Sequence, residues 1–273
     1  LKELKKSFLT GKRHPSCEHC WVTEDSGLKS IRQQNLDISS KIHRLSLTLG
    51  NKCNFKCVMC SPEDSSAWSK DTKACDILGI SPVTFKNFYH NVDWIIDYSK
   101  NKKITLSIMG GEPFICDEYL YFLNEVEKYN LYNNINLVIT TNLSVLTYKG
   151  VDHLDALRKF SNKQMYVSFD GVGAVGEYIR TGFNMSKFTK NLEKSLDLAS
   201  FLNVTIQIYN IFNMPHIFHF ADKYNLKTNF NFLIDPDFLS INNLSTSDKQ
   251  KVKDYYKKVA WTNADIINVL SST

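Results

Sequence analysis

The residues best suited to chemistry are three cysteines that lie close together, Cys53, Cys57 and Cys60. They follow a short apolar run, and neighbours at this spacing are too close for disulfides among themselves. Thiolates are soft ligands that suit iron–sulfur clusters. A four-iron cluster held by three cysteines leaves one iron that can chelate a small molecule through an amine and a carboxylate. A zinc knuckle, which needs a fourth ligand nearby, and a chance group of thiols are the alternatives.

A second motif, Gly110-Gly111-Glu112-Pro113, follows another apolar run. Its two glycines allow the backbone to approach a ligand closely. Glu112 can accept a charge-assisted hydrogen bond from an ammonium group, and Pro113 fixes the chain as it leaves the turn. Taken alone, the motif is compatible with an ordinary turn between a strand and a helix. In the same chain as the cysteine loop, it predicts part of a ligand site.

Six short runs of β-branched and apolar residues predict the strands that position these motifs. They cover residues 45–49, 104–109, 135–140, 165–169, 204–209 and 230–234. Amphipathic stretches lie between them, the clearest with apolar residues at helical spacing from Phe85 through Phe88 to Ile96, opened by Ser81 and Pro82. Further helices are predicted over residues 118–129, 152–160, 217–224 and 245–261, and on the spacing of Phe188, Leu192, Leu196 and Ala199.

Regular alternation of strands and helices predicts an α/β fold of parallel strands, either an open sheet or a partial (β/α)6 barrel. In both architectures chemistry gathers at the carboxyl ends of the strands. The two motifs follow the first and second strands, and polar residues follow the others. These are Thr141-Asn142, Asp170-Gly171, Asn210 and Asp235-Pro236-Asp237. We therefore expect an N-terminal extension over residues 1–43, a barrel over 44–240 with all six loops at one site, and a C-terminal helix over 241–273 before any further module.

The pattern Cys-x3-Cys-x2-Cys directly after a first strand resembles the radical S-adenosylmethionine (SAM) superfamily, and the resemblance covers residues 43–237. It implies a six-stranded partial barrel whose cysteines hold a 4Fe-4S cluster, with SAM bound to the open iron through its amino and carboxylate groups. One electron then cleaves SAM to methionine and a 5′-deoxyadenosyl radical, which abstracts hydrogen from a substrate. Gly110, Gly111 and Glu112 match the family's second signature. Met59 stands where the family often has an aromatic residue against the adenine.

Ser168-Phe169-Asp170-Gly171, followed by Arg180, resembles the segment by which the branch with SPASM or twitch domains grips the carboxylate of SAM. The resemblance implies that Ser168 donates its hydroxyl and Arg180 its guanidinium, although a solvated ion pair is the ordinary role of an arginine. It also places Asn142 near the cofactor. For Asn210, a buried amide satisfied by the backbone is an equal alternative.

Cys17 and Cys20 form a Cys-x2-Cys pair in the extension. This spacing lets both sulfurs face one metal, so the pair is a candidate for a second site that holds zinc or an auxiliary iron–sulfur cluster. Two cysteines make only half a site, and packing is the alternative role. The candidates to complete it are His14, His19, Cys75, Cys116 and residues beyond Thr273.

Composition excludes several classes of protein. Hydrophobic residues make up 43% of the chain, enough for a core, and no run approaches the roughly 18 apolar residues of a membrane span or resembles a secretory signal. The net charge of +5 comes mostly from the first thirteen residues and arginines are few, so we do not expect a nucleic-acid partner. Clustered cysteines without a secretory signal indicate metal ligands in the cytoplasm rather than disulfides. The chain begins without Met, which is compatible with an excerpt of a longer protein.

These features predict a radical SAM enzyme that receives its electron from a donor such as flavodoxin or ferredoxin. The resemblance suggests a peptide or protein side chain as the substrate, with a small molecule as the alternative. Asp235, Asp237 and Cys116 are candidates for a substrate base or hydrogen donor, each with a loop-capping or packing role as the alternative. An iron–sulfur electron carrier, which needs four cysteine ligands, and a zinc-dependent nucleic-acid-binding module are the rival hypotheses.

Overall fold

The computed structural model describes residues 10–25, 44–83 and 89–271, together with positions 3, 6, 7, 30 and 33. The chain divides into two compact units, Leu1–Ile42 and His43–Thr273. In the first unit, a 3-10 turn at Pro15–Cys17 leads into helix α1 (Glu18–Asp25).

A parallel sheet of six strands forms the framework of the second unit. In spatial order the strands are β1 (Arg44–Thr48), β3 (Ile104–Met109), β4 (Ile135–Thr141), β7 (Lys163–Ser168), β9 (Ala199–Ile206) and β10 (Lys227–Phe232). Every adjacent pair is parallel, and the sheet stays open between its two edge strands in the described part of the chain. Two short antiparallel pairs accompany it, β2 (Lys56–Cys57) with β8 (Arg180–Thr181), and β5 (Thr147–Tyr148) with β6 (Val151–Asp152). The predicted α/β fold with an incomplete barrel of six parallel strands is therefore confirmed.

The helices connect the strands. They are α2 (Ser66–Ser69), α3 (Thr72–Leu78), α4 (Tyr89–Ser99), α5 (Asp117–Lys128), α6 (His153–Arg158), α7 (Ala174–Ile179), α8 (Met185–Glu193), α9 (Met214–Lys223), α10 (Thr246–Lys258) and α11 (Ala264–Ser271). The first part of the helix predicted from Phe85 and Phe88 lies outside the described residues. No described helix combines the length and the apolar composition that a membrane span requires.

Local sequence explains how these helices begin and which face they bury. Helix α5 has Asp117 and Glu118 in its first turn, where negative charge is favourable, and Lys128 in its last turn. Its buried face follows the helical repeat through Tyr119, Phe122, Leu123 and Val126. Helix α8 begins after Asn184, whose side chain accepts a hydrogen bond from the backbone N–H of Lys187. Helix α5 thus buries one apolar face, whereas helix α8 buries Asn191 together with Phe188 and Leu192.

Several predicted boundaries were wrong, among them the following. Helix α8 ends at Glu193, Leu196 is exposed, and Ala199 already belongs to β9. The strand predicted at residues 204–209 therefore begins earlier. The closing helix, predicted over residues 245–261, is α10 and is followed by α11, which buries Ile266 and Leu270 within the same unit.

Candidate functional site

The three cysteines lie in the loop that follows β1, and all three are free thiols. Helix α2 supports this loop. The Ser66 hydroxyl accepts from the backbone N–H of Cys53 at 3.1 Å, and the indole N–H of Trp68 donates to the carbonyl of Cys57 at 2.9 Å. A turn inside the loop is closed by the backbone N–H of Cys60, which donates to the carbonyl of Cys57 at 3.0 Å. The spacing of the cysteines is therefore fixed by hydrogen bonds to the backbone.

A second chain segment pairs directly with the cysteine loop. Cys57 and Arg180 are opposite each other in the β2–β8 pair, and the backbone N–H of Val58 donates to the carbonyl of Ile179 at 2.8 Å. The Arg180 guanidinium places Nη1 3.8 Å from the sulfur of Cys57 and Nη2 2.7 Å from a carboxylate oxygen of Asp170. The surface ion pair that was the ordinary alternative for Arg180 is thus ruled out by its burial.

The thiols differ in acidity because their surroundings differ. A hydrogen bond from Cys60 lowers the pKa of Cys57, and the positive charge of Arg180 adds to this effect against the penalty of burial. The same hydrogen bond, together with burial, raises the pKa of Cys60. Burial raises the pKa of Cys53 to about 11. Because the thiolate is the form that binds metal, the lowered pKa favours that form at Cys57 more than at the other two cysteines.

Asp170 anchors this arrangement to the next strand of the sheet. Its side chain is fully buried, which raises its pKa against the opposing effect of Arg180. Carboxylate oxygen Oδ1 accepts from the backbone N–H of Thr205 at 2.7 Å. The amide of Asn210 donates to the carbonyls of Asp170 and Thr205, so the structure favours the backbone-satisfied alternative for Asn210. The sequence placed Asp170 after a strand, at the edge where the site is expected, but did not predict its pairing with Arg180.

The glycines of Gly110-Gly111-Glu112-Pro113 are required by contact with another backbone segment. Gly110 has φ +102°, and a Cβ on Gly111 would lie 2.2 Å from the carbonyl oxygen of Lys52. The backbone N–H of Glu112 donates to that same oxygen at 2.8 Å. Both glycines thus seat the end of β3 against the start of the cysteine loop, and close approach of their backbone to a ligand stays a prediction.

The carboxylate of Glu112 holds the loop that follows β4. It is 1% exposed and accepts hydrogen bonds from the backbone N–H of Phe114 at 3.0 Å, the hydroxyl of Thr141 at 2.7 Å and the backbone N–H of Asn142 at 2.6 Å. Burial raises its pKa to about 6 although these hydrogen bonds oppose the shift. Contact between this carboxylate and an ammonium group stays a prediction.

Eight of the predicted ligand and cofactor residues line one cavity of about 90 Å³. They are Cys53, Cys57, Cys60, Gly110, Gly111, Asn142, Ser168 and Arg180. Glu112 does not line it, which agrees with the internal role of its carboxylate. The carboxyl ends of β3, β4 and β7 and the loop after β1 therefore meet at one place, as the topology of a parallel sheet requires.

A larger cavity of about 890 Å³ adjoins the first, and the two share Cys60, Asp64, Gly110 and Gly111. Its wall combines apolar side chains with carboxylates. The apolar members include Trp68, Leu78, Ile80 and Phe238, and the carboxylates are Glu63, Asp64 and Asp235. Of the three candidates for a substrate base or hydrogen donor, Asp235 alone lines this cavity. Cys116 is fully buried and its thiol lies 3.2 Å from the carbonyl of Glu112, so the structure favours the packing role for this cysteine. Asp237 begins a short 3-10 helix, Asp237–Leu239.

The donor set fits an iron–sulfur cluster. Among the described residues, no three side chains of His, Cys, Asp or Glu are placed to hold a single metal ion. A 4Fe-4S cluster makes a different demand, since each cysteine binds a separate iron atom. Three free thiols on one cavity, one of them with a lowered pKa beside a guanidinium, meet that demand.

Cys17 and Cys20 lie at the start of the first unit's short helical segment, and both are free and partly exposed. In the described part of this unit no third ligand joins them. The side chain of His19 lies outside the described residues. A second metal site stays a prediction.

Comparison with known families identifies the fold and chemistry. The sequence model of the radical SAM superfamily matches residues 47–215, more than half of the chain. The chain belongs to the radical SAM superfamily. Members use a 4Fe-4S cluster and SAM, and the three free thiols of the cysteine loop fit the first of these groups.

The radical SAM proteins that are similar to this chain carry names that indicate different reactions. A GTP 3′,8-cyclase of Campylobacter lari is 25% identical over 177 residues, which cover 60% of this chain and 51% of that protein. The radical SAM cyclopropyl synthase TigE of Paramaledivibacter caminithermalis is 26% identical over 214 residues, which cover 71% of this chain and 42% of TigE. The chain thus spans about half the length of the curated relatives it matches.

Among solved structures, SuiB of Streptococcus suis bound to S-adenosylmethionine superposes with a TM-score of 0.54 at 15% identity, covering 94% of this chain and 59% of SuiB. A second SuiB structure, bound to the precursor peptide SuiA, gives the same TM-score at 14% identity and the same coverage. At this identity the likeness shows a shared fold.

Proposed function

We propose that this radical SAM protein is an enzyme in which Cys53, Cys57 and Cys60 hold a 4Fe-4S cluster and the fourth iron binds SAM. When bound, the two groups supply a one-electron cleavage that gives methionine and a 5′-deoxyadenosyl radical able to abstract hydrogen from a substrate. The observation that carries the proposal is the cavity that the three cysteines share with Gly110, Gly111 and further residues, among them Ser168 and Arg180.

Arg180 and Ser168 are assigned to the carboxylate of SAM. The Nε atom of Arg180 is buried and has no hydrogen-bond partner among the described residues, so a charged donor is available at the cavity. Such a donor costs free energy if it stays unpaired, and an anion relieves that cost. Ser168 lines the same cavity and contributes a hydroxyl. We assign the ammonium end of SAM to Glu112 together with the backbone of Gly110 and Gly111. The same carboxylate holds the neighbouring loop.

The substrate we assign is a peptide or protein side chain. The SuiB fold neighbour that has a precursor peptide bound supports this class. The composition of the larger cavity also supports it, because its described lining contains three carboxylates and no lysine, arginine or histidine. A triphosphate such as that of GTP, named for the cyclase relatives, would be repelled there. We further assign Asp235 as the acid or base nearest the substrate, flavodoxin or ferredoxin as the electron donor, and the cytoplasm as the site of action.

One experiment separates this proposal from its rivals. The protein is reconstituted anaerobically with iron and sulfide, then given dithionite and SAM, and 5′-deoxyadenosine is measured by liquid chromatography. The parent should form it, whereas Cys53→Ala/Cys57→Ala/Cys60→Ala should lose both the visible absorption of the cluster and the product. Cleavage that survives the triple change would overturn the proposal. A cluster without cleavage would indicate an electron carrier, and bound zinc without iron would indicate a zinc module.

A further inference from the structure

The ion pair of Asp170 and Arg180 is unusual for its burial. The carboxylate is fully buried and the guanidinium almost so, with 2.7 Å between Oδ2 and Nη2. Most ion pairs of the second unit lie on the surface, as Arg158 and Asp197 do at 2.9 Å. Placing two charges in the interior costs desolvation free energy that their attraction does not always offset. Stabilisation of the fold is therefore not a sufficient explanation for the position of this pair.

The guanidinium lies against a sulfur of the cysteine loop. Its Nη1 donates toward the sulfur of Cys57 at 3.8 Å, the range of an N–H···S hydrogen bond. The main chain fixes this contact, because Cys57 and Arg180 are paired residues of β2 and β8. Arg180 therefore keeps its place beside Cys57 even if its carboxylate partner is changed.

Asp170 is held from the opposite side. Its second oxygen accepts from the backbone N–H of Thr205 in β9, and its carbonyl accepts from the amide of Asn210. These two hydrogen bonds hold Asp170 in place, and the group of the ion pair that contacts the sulfur of Cys57 is the guanidinium of Arg180. The pair forms a fixed dipole whose positive end faces the ligand sulfur.

We propose that this dipole sets the reduction potential of the cluster bound at Cys57, with Arg180 raising it and Asp170 lowering it. The inference rests on the proposed function, since it assumes a cluster at these cysteines. Reduction adds one electron, so a nearby positive charge or an N–H···S hydrogen bond favours the reduced form and a negative charge disfavours it. Two changes within one ion pair should therefore act in opposite directions.

The test is a redox titration of the reconstituted protein without SAM, followed by electron paramagnetic resonance of the reduced cluster. Arg180→Gln should lower the midpoint potential by about 59 mV, a tenfold change in the ratio of reduced to oxidised cluster for one electron. Asp170→Asn should raise it, by less because the guanidinium, and not the carboxylate, contacts the sulfur of Cys57. The midpoint potential of the double variant should be higher than that of Arg180→Gln. This comparison tests the effect of Asp170 even if Asp170→Asn alone does not retain a cluster.

Asp197→Asn is the matched control, because it removes the carboxylate of an exposed ion pair and should leave the potential unchanged. Shifts of the same sign in both single variants, or equal potentials in Arg180→Gln and the double variant, would overturn the inference. The proposed function fails separately, when the parent itself binds no cluster or forms no 5′-deoxyadenosine.

Discussion

Replacing Gly111 by alanine should push apart two backbone segments beside the cysteine loop. The new Cβ would lie 2.2 Å from the carbonyl oxygen of Lys52 and 2.8 Å from the carbonyl carbon of Asn51, whereas real Cβ atoms essentially never come closer than 3.0 Å to such atoms. Both obstacles are main chain, so no side-chain rotation relieves the clash. The hydrogen bond from the N–H of Glu112 to Lys52, 2.8 Å long, has to break as the segments separate.

The cost follows from these contacts. Overpacking typically costs about 1–3 kcal/mol, and a lost hydrogen bond about 0.5–1.5 kcal/mol. The free energy of unfolding of Gly111→Ala should thus fall by roughly 2–4 kcal/mol. Gly150→Ala is the matched control, since Gly150 has φ +82° and a Cβ added there would meet no atom within 4 Å. Its cost is the left-handed conformation alone, about 1–2 kcal/mol.

Urea unfolding of the metal-free protein, followed by circular dichroism, measures both costs. Iron per chain after reconstitution provides a second readout, and it should fall in Gly111→Ala because Cys53 directly follows Lys52. Equal stability and equal iron in the two alanine variants would refute the argument that close approach of the backbones requires glycine at position 111.

Three further predictions concern other parts of the molecule. Thr141→Val removes a donor from the buried carboxylate of Glu112 and should lower the free energy of unfolding by about 1.5–3 kcal/mol in urea titrations. Burial lowers the pKa of His153, so the unfolded chain binds a proton first as the pH falls. Stability should accordingly be lost below about pH 6.5, and His153→Phe should show less of this loss when urea midpoints at about pH 5 and about pH 7.5 are compared. Cys17→Ala/Cys20→Ala should lower the iron or zinc content per chain. Unchanged metal content would show that the pair binds no metal and is at most structural.

The strands were predictable where the local pattern and the sheet agree. Residues 104–109 were predicted as a strand and form β3 at the same positions. Their side chains alternate between buried and less buried positions, a pattern that the sequence carries by itself. The gathering of strand ends at one site was also predictable, because it follows from parallel topology.

Boundaries and partners that depend on distant residues were not predictable. The spacing of Leu192, Leu196 and Ala199 continues a helical pattern, but pairing of Ala199 with Met165 in β7 begins a strand instead. The carboxylate of Glu112 finds two of its three donors some thirty positions away, at Thr141 and Asn142. A sequence motif indicates that such a carboxylate is functional. Which hydrogen-bond donors it contacts depends on the packing of the folded chain.

The pairing of Cys57 with Arg180 also has a consequence for biosynthesis. These residues are 123 positions apart, so the cysteine loop lacks its partner strand until much of the chain has been synthesised. At about 5–20 residues per second, that interval lasts roughly 6–25 s. Iron delivered during it would meet thiols on an unpaired loop without the neighbouring guanidinium. Cluster loading in the cell should therefore follow release of the segment around Arg180 from the ribosome.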